Sequence, residues 1–179
     1  KANPGATIIY NLISSKAVAE VISENGGIAL RSRVGHSYIK TLMAESGAVF
    51  GGEHSGHFYF GDFWRADSGM LAALYALAEL MATPKSLSNL LEPYNRYFSS
   101  GEINSKVKNA EKSIELIRKK YCDKYLVDDL DGLTITADNW WFNLRPSNTE
   151  PLLRLNLEAS TRDDCDNHVA EVLSLVTSL

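Results

Sequence analysis

The order of structural signals changes near residue 98, and that change constrains the fold more than any other feature of the chain. Before it, short runs of β-formers alternate with amphipathic stretches. Thr7–Leu12 reads as a strand, and Ser15 caps a helix carrying Val18, Val21 and Ile22 that Asn25-Gly26-Gly27 stops. Ile28–Val34 is a second strand, and His36–Ser46 a helix with Ile39, Leu42 and Met43 on its apolar stripe and Gly47 at its end. Ala48–Phe50 and Phe58–Phe60 follow as strands. A longer helix runs from about Ser68 to Ala82, with Leu71, Leu74, Leu77, Ala78 and Met81 spaced for burial and Asp67 as its cap. Leu87–Tyr97 adds a short helix. Strands separated by helices of ten to fifteen residues predict βαβ units, in three layers around a mostly parallel mixed sheet.

Ser99–Ser105 is polar, lacks core periodicity and reads as a linker. Beyond it the pattern is helix (109–121), three strands (Leu133–Ala137, Trp140–Leu144 and Leu152–Leu157), then a helix capped by Thr161. In the last strand Leu153, Leu155 and Leu157 alternate with Arg154, Asn156 and Glu158, the period of two that marks a strand with one buried face. Alternation also places Trp140 and Trp141 on opposite faces, where both read as packing residues. The chain is thus expected to be α/β: an α/β domain over 1–98 and a smaller α+β domain over 99–179, whose antiparallel sheet is covered by helices.

With 179 residues, 45% hydrophobic and 22% charged, the composition is that of an ordinary globular protein with room for two cores. A net charge of −4 argues against nucleic acid as a partner, and the locally basic 106–124 stretch reads as the solvated face of a helix. Cys122 and Cys165 have neither metal-ligand nor disulfide spacing. No apolar run reaches the length of a membrane span, and no signal peptide opens the chain. The expectation is a cytoplasmic protein with no membrane partner. A start at Lys1 that passes almost at once into a strand reads as a segment of a longer polypeptide.

Two loops carry the candidate chemistry. Arg145-Pro146-Ser147-Asn148-Thr149-Glu150-Pro151 lies between two strands and gathers a guanidinium, two hydroxyls, an amide and free backbone N–H groups. A guanidinium offers a planar fork of donors to phosphate oxygens, and hydroxyls and amides can close the other sides of a tetrahedral anion. The same residues also make an ordinary polar turn. Gly51-Gly52-Glu53-His54-Ser55-Gly56-His57 follows the third strand, at the carboxyl end of the sheet where ligands of α/β folds bind. Glu53 can accept from two adjacent hydroxyls, and Ser55 and His57 add a donor and an acceptor. A sugar diol fits this set better than a metal ion does, since Glu53, His54 and His57 lack helical ligand spacing. A Gly-rich turn with a Glu53–histidine salt bridge is the plainer alternative.

Taken together, the two loops resemble those of the α-D-phosphohexomutase superfamily, in its phosphomannomutase/phosphoglucomutase branch. Val34-Gly35-His36-Ser37-Tyr38-Ile39-Lys40 is similar to a further segment of that family's third domain, so the resemblance spans nearly the whole chain. Such enzymes have four domains: a phosphoserine loop in the first, an Asp-rich magnesium loop in the second, a sugar loop in the third and a phosphate loop in the fourth. This chain resembles the third and fourth. It contains neither a Ser-His-Asn-Pro-type phosphoserine loop nor an Asp-x-Asp-x-Asp run.

The resemblance implies that Glu53, Ser55 and His57 hold sugar hydroxyls, and that Arg145, Ser147, Asn148 and Thr149 grip the phosphate that is not transferred. Arg33 and His36 are further candidates. Arg33 would stand in for a basic residue that many relatives carry where this chain has Ile13, while Lys40 reads first as solvated helix surface. The implied function is that of the C-terminal half of a mutase moving a phosphoryl group between O1 and O6 of mannose or glucose phosphate. The catalytic phosphoserine and Mg2+ would be supplied by N-terminal domains of the same polypeptide, leaving this portion inactive alone and without a metal or cofactor of its own. Asn148 disfavours phosphoglucosamine mutases, which usually carry Gly there. The rival functions are a non-catalytic phosphosugar-binding or regulatory module, a phosphoglucosamine mutase, and a scaffold in which both loops are mere turns. The leading reading requires the two loops to embrace opposite ends of one ligand.

Overall fold

The computed structural model describes residues 3–147 and 150–177. It divides into two units, Lys1–Arg96 and Tyr97–Leu179.

In the first unit, β1 (Thr7–Asn11) leads through α1 (Lys16–Glu24) to β2 (Ile28–Ser32), and α2 (His36–Ser46) leads on to β3 (Phe50–Gly52). Both β2 and β3 pair in parallel with β1, on its opposite sides. The crossover from β1 to β2 runs one way along the sheet and that from β2 to β3 runs back past β1, so right-handed connections lay α1 and α2 on opposite faces. β4 (Phe58–Phe60) and β5 (Ala66–Asp67) continue the sheet antiparallel, giving the order β2-β1-β3-β4-β5. The expected mixed sheet is present, with two parallel and two antiparallel ladders among the described residues.

Local chemistry sets the helix ends. Ser15 Oγ accepts the Ala17 N–H at 3.1 Å to open α1. Gly47, at φ +67, closes α2 with an N–H bond to the Met43 carbonyl, a left-handed cap that suits glycine. The α2 face of the sheet is sealed: Ile9, Ile39, Met43, Ala48 and Tyr59 form one buried cluster. A Cβ on Gly51 would lie 3.0 Å from Ile39 Cγ2, so this helix packs directly on the backbone of β3.

Two expectations for this unit fail. Helix α3 (Gly69–Met81) forms, yet none of its residues is buried, and Leu74, Leu77 and Met81 are 54%, 52% and 85% exposed. Its apolar spacing records burial that this chain by itself does not provide. Asp67 is not its cap: Ser68 Oγ accepts the Leu71 N–H at 3.2 Å, and Asp67 turns toward the Glu53–His57 loop. Past α4 (Leu87–Leu91) and a 3₁₀ turn over Glu92–Tyr94, Arg96 reaches back to Glu24 with a forked pair of bonds at 2.6 and 2.7 Å.

The second unit has one strand more at each edge than expected. The stretch that reads as a linker is part of β6 (Phe98–Lys106), paired antiparallel with β10 (Leu152–Ala159). It hid because an exposed edge strand has no apolar alternation, and Gly101 at φ +67 interrupts it. Helix α5 (Ala110–Tyr121) opens with Asn109 accepting the Lys112 N–H at 2.9 Å. β7 (Leu126–Asp128), β8 (Leu133–Thr136) and β9 (Trp140–Pro146) complete the order β6-β10-β9-β8-β7. Helix α6 (Arg162–Thr177) follows, and Thr161 Oγ1 accepts the Asp164 N–H as its cap.

One sheet face packs on α5 and α6 through a single core that includes Ile117, Phe142, Leu144, Leu153, Leu155 and Val172. The two tryptophans do part as alternation requires. Trp140 joins the helix-side core, and Trp141 on the far face donates its indole N–H to Glu158 at 2.8 Å.

Candidate functional site

The loop after β3 is shaped by Glu53. Its side chain is 7% exposed, and a buried carboxylate needs donors to offset lost hydration. Oε1 accepts the Tyr59 hydroxyl at 2.7 Å and Oε2 accepts the Gly35 N–H at 3.2 Å. The backbone closes the turn on itself, Glu53 N–H to the His57 carbonyl at 2.9 Å and Gly56 N–H to the Glu53 carbonyl at 3.0 Å. Burial, and then the bond to Glu53, drive the Tyr59 phenol far above its ordinary pKa, so it stays a donor. Buried Asn11 adds an anchor, its side-chain oxygen accepting the His54 N–H at 3.3 Å.

His57 extends from this turn to Asp67, with Nδ1 and Oδ2 2.6 Å apart. The hydrogen bond to Asp67, reinforced by its charge, raises the His57 pKa, and the same bond lowers that of Asp67. Asp67 is itself fixed by the Phe58 N–H at 3.0 Å. Both shifts favour an imidazolium–carboxylate pair, which leaves Nε2–H as the free donor of the ring.

A pocket of about 350 Å³ is lined by Gly35, His36, Lys40, Glu53, Ser55 and His57, with Tyr59 and Asp67 behind them. Glu53, Ser55, His57, His36 and Lys40 are therefore brought together. Arg33 is not in the lining: its guanidinium lies 4.7 Å from the centre of the Tyr38 ring. His54 turns the other way, toward an apolar cavity on the opposite side of the loop. The alternative Glu53–histidine salt bridge is not what holds the loop, because the partners of Glu53 are Tyr59 and Gly35 and that of His57 is Asp67. The N-terminal turn of α2 borders this pocket, and its unpaired N–H groups add positive potential. Oxygen acceptors, a cationic ring, an ammonium and a hydroxyl thus surround a space the size of a small polar ligand.

In the second unit, β9 and β10 form a hairpin whose register places Arg145 opposite Arg154. Ser147 N–H donates to the Leu152 carbonyl at 2.8 Å to close its end. Asn148 and Thr149 lie outside the described residues. Arg145 Nη2 meets Glu102 Oε2 at 3.2 Å, and Arg154 Nη1 meets Glu102 Oε1 at 3.3 Å. Arg154 Nη2 also donates to Ser147 Oγ at 3.3 Å. Two guanidinium groups thus share one carboxylate, and among the described residues the buried Nε atoms of both have no partner. Two guanidinium groups against one carboxylate leave an excess positive charge, which suits a further anion.

The backing of Arg145 is tight. A Cβ on Gly132, which sits at φ +73, would come within 2.5 Å of the Leu144 carbonyl oxygen and 2.7 Å of Arg145 Cβ. Only glycine fits there.

Besides Tyr59, visible in the sequence only as part of a strand, Arg154, Glu102 and Asp67 escape the sequence reading. Arg154 stood in plain view as a polar position of an alternating strand, and counting back through the hairpin would have set it beside Arg145. Glu102 was hidden in the unrecognised strand β6. Asp67 reads as a cap because a carboxylate just before a helix usually is one. Among the described residues, no group of three or more His, Cys, Asp or Glu could hold a metal ion, and no helix is long and apolar enough to cross a membrane.

Comparison with known proteins identifies the family. Residues 1–97 match the model for phosphoglucomutase/phosphomannomutase alpha/beta/alpha domain III, and residues 102–175 match that for the phosphoglucomutase/phosphomannomutase C-terminal domain. A phosphomannomutase of Methanocaldococcus jannaschii is 46% identical over 179 residues, covering 100% of this chain and 40% of that protein. A phosphomannomutase of Escherichia coli is 38% identical, covering 99% and 39% respectively. The crystal structure of a phosphoglucomutase/phosphomannomutase family protein from Burkholderia thailandensis superposes with a TM-score of 0.82 at 30% identity, over 98% of this chain and 39% of that one. The chain thus spans about 40% of the length of these relatives. With two family models covering nearly all of it, the chain belongs to the phosphoglucomutase/phosphomannomutase family.

Proposed function

We propose that this chain supplies the substrate-holding half of a phosphohexomutase, gripping a hexose phosphate while a phosphoryl group moves between its O1 and O6. The observation that carries this reading is the pair of guanidinium groups of Arg145 and Arg154 sharing the single carboxylate of Glu102. A phosphate dianion arriving there replaces an incomplete charge balance with charge-assisted bonds from Arg145, Arg154 and Ser147. Asn148 and Thr149 complete the cradle on the strength of the family resemblance. Glu53 accepts from sugar hydroxyls, and Ser55 and His57 Nε2–H donate to them or to the ring oxygens. His36 and Lys40 add donors and positive charge at the rim of the same pocket.

A remote phosphate clamp accelerates transfer by orienting the substrate, since binding energy away from the reacting atoms can be used to fix their geometry. One ligand must be held in two orientations as O1 and O6 exchange roles, and this suits a clamp that recognises only phosphate together with a loop that recognises only hydroxyls. The phosphoserine and the magnesium site belong, in this reading, to the polypeptide preceding residue 1, and the enzyme works in the cytoplasm. Conversion of glucose 1-phosphate and mannose 1-phosphate to the 6-phosphates tests it. The longer polypeptide turns both over and the 179-residue chain does not; turnover by the 179-residue chain alone contradicts this division of labour.

A further inference from the structure

The turn over residues 129–132, which joins β7 to β8, is tied down along its length. Asp128 Oδ1 accepts the Leu130 N–H at 2.7 Å. Asp129 is gripped by both Nη atoms of Arg118, which projects from α5. The Asp131 carbonyl accepts from Asn143 Nδ2 at 2.9 Å, and the same nitrogen donates to Thr134 Oγ1 at 3.1 Å. Gly132 then lies so close to β9 that an added Cβ would stand 2.7 Å from Arg145 Cβ and 2.8 Å from Arg145 Cα. The turn therefore backs the very strand position from which the Arg145 side chain leaves.

We infer that Asn143 is a positioning residue of the phosphate clamp: it holds the Asp131–Gly132 backbone against Arg145 and so fixes where the guanidinium points. The inference rests on the phosphate reading of the hairpin. Three observations lead to it. First, Asn143 lies two residues before Arg145, so both side chains leave the same face of β9, and Asn143 is fully buried. Asparagine is a poor strand former and a buried amide is costly unless bonded, so an apolar residue would be the expected choice at such a position. Second, the amide is used in one direction. A carbonyl oxygen can only accept, so the amide nitrogen faces Asp131, while the amide oxygen has no partner among the described residues. What the position supplies is its pair of donors. Third, the register sets Leu133 opposite Leu144 and Thr134 opposite Asn143, so the segment that Asn143 ties down runs alongside Arg145. The Arg145 side chain is only 12% exposed, with Glu102 at its tip and the turn at its base. A planar fork binds an anion well only when it is aimed. A site loosened at its supporting residues loses affinity even where every contact residue remains.

Asn143→Leu keeps the bulk and suits a strand, but it removes both donors and takes from the Asp131 carbonyl the bond that anchors the turn. In the 179-residue chain it should weaken binding of inorganic phosphate, measured by calorimetry, by about tenfold, part of the worth of a charge-assisted bond. The side-chain Nε–H of Arg145, expected as a dispersed and slowly exchanging NMR signal in the parent, should merge with the averaged signals of exposed arginines. A purely structural role would lower the thermal midpoint and leave both readouts as in the parent, and that result overturns the inference. Asn143→Ser, too short to reach Asp131, gives the same two readouts should the leucine variant fail to fold. Arg145→Ala separates this inference from the reading it rests on. If that variant binds phosphate as the parent does, the hairpin is no phosphate clamp, and the Arg145 Nε–H signal in the variants at position 143 still decides whether Asn143 aims that side chain.

Discussion

The loop after β3 and the β9–β10 hairpin both present polar groups, but they are held in different states of completion. Around Glu53 most bonds are already made: Tyr59 and Gly35 occupy its oxygens, Asp67 orients His57, and the turn closes on its own backbone. What remains open is a small number of aimed groups, as suits neutral hydroxyls that gain modestly from each bond. The hairpin is instead left unfinished. Arg145 and Arg154 divide one carboxylate, and their buried Nε donors have no acceptor among the described residues. A site with excess charge gains most from a charged partner, so the proposed division of labour between sugar and phosphate follows from what each loop lacks.

That contrast can be broken first at Arg145. Arg145→Ala should weaken binding of inorganic phosphate and hexose phosphate at least about 30-fold, roughly 2 kcal/mol, through loss of charge-assisted bonds. Free hexose binding should be unchanged. Calorimetry or an NMR titration showing equal phosphate affinity in the variant and the parent would remove Arg145 from the clamp.

Tyr59→Phe probes the finished loop. It deprives a buried carboxylate oxygen of its donor and should cost about 1–2 kcal/mol of stability, read as a lower chemical-denaturation midpoint. Phosphate affinity should be unaffected, and a loss of phosphate binding would show that the two sites are not separable.

Glu102→Gln sharpens the comparison with the opposite sign. Removing the carboxylate that occupies both guanidinium groups should tighten inorganic phosphate binding by roughly threefold, the scale of a partly exposed ion pair. Weaker binding would make Glu102 a support for the arginines rather than a competitor for them.

Asp67→Asn should give the smallest effect, confined to one ring. The His57 pKa is raised in the folded chain, so the pair's contribution to stability is complete below the unfolded value near 6.5 and is lost as pH rises through the folded value. Asp67 is shifted down, and its contribution is lost only as pH falls through its lowered value. With Asn at position 67, the His57 titration followed by NMR should move down toward or below 6.5. An unmoved titration would deny Asp67 its orienting role.

How far this was legible in the sequence depends on what bounded each element. Helix α2 was read to the residue because Gly35 and Gly47 punctuate it and Ile39 and Met43 mark its buried stripe. β10 was recognised by strict alternation, since one face meets a core and the other does not. β6 and β7 were missed because edge strands bury little and carry no such period. The opposite error occurred at α3, where strong apolar spacing predicted burial absent from this chain. The site shows the same asymmetry. Glu53, Ser55, His57, Arg145 and Ser147 lie in recognisable local motifs. Asp67, Arg154 and Glu102 join them only through strand register, which a linear reading reaches by counting across hairpins.

The central proposal is that the hairpin binds the phosphate of a hexose phosphate and the Glu53 loop binds its hydroxyls. Backbone amide shifts of the 179-residue chain, titrated in parallel with inorganic phosphate and with glucose 6-phosphate, test it most directly. Phosphate should perturb only residues around 145–154, whereas the sugar phosphate should perturb these together with 51–57 at the same apparent affinity. Sugar phosphate shifts confined to one loop, or two loops saturating at different concentrations, would contradict the account.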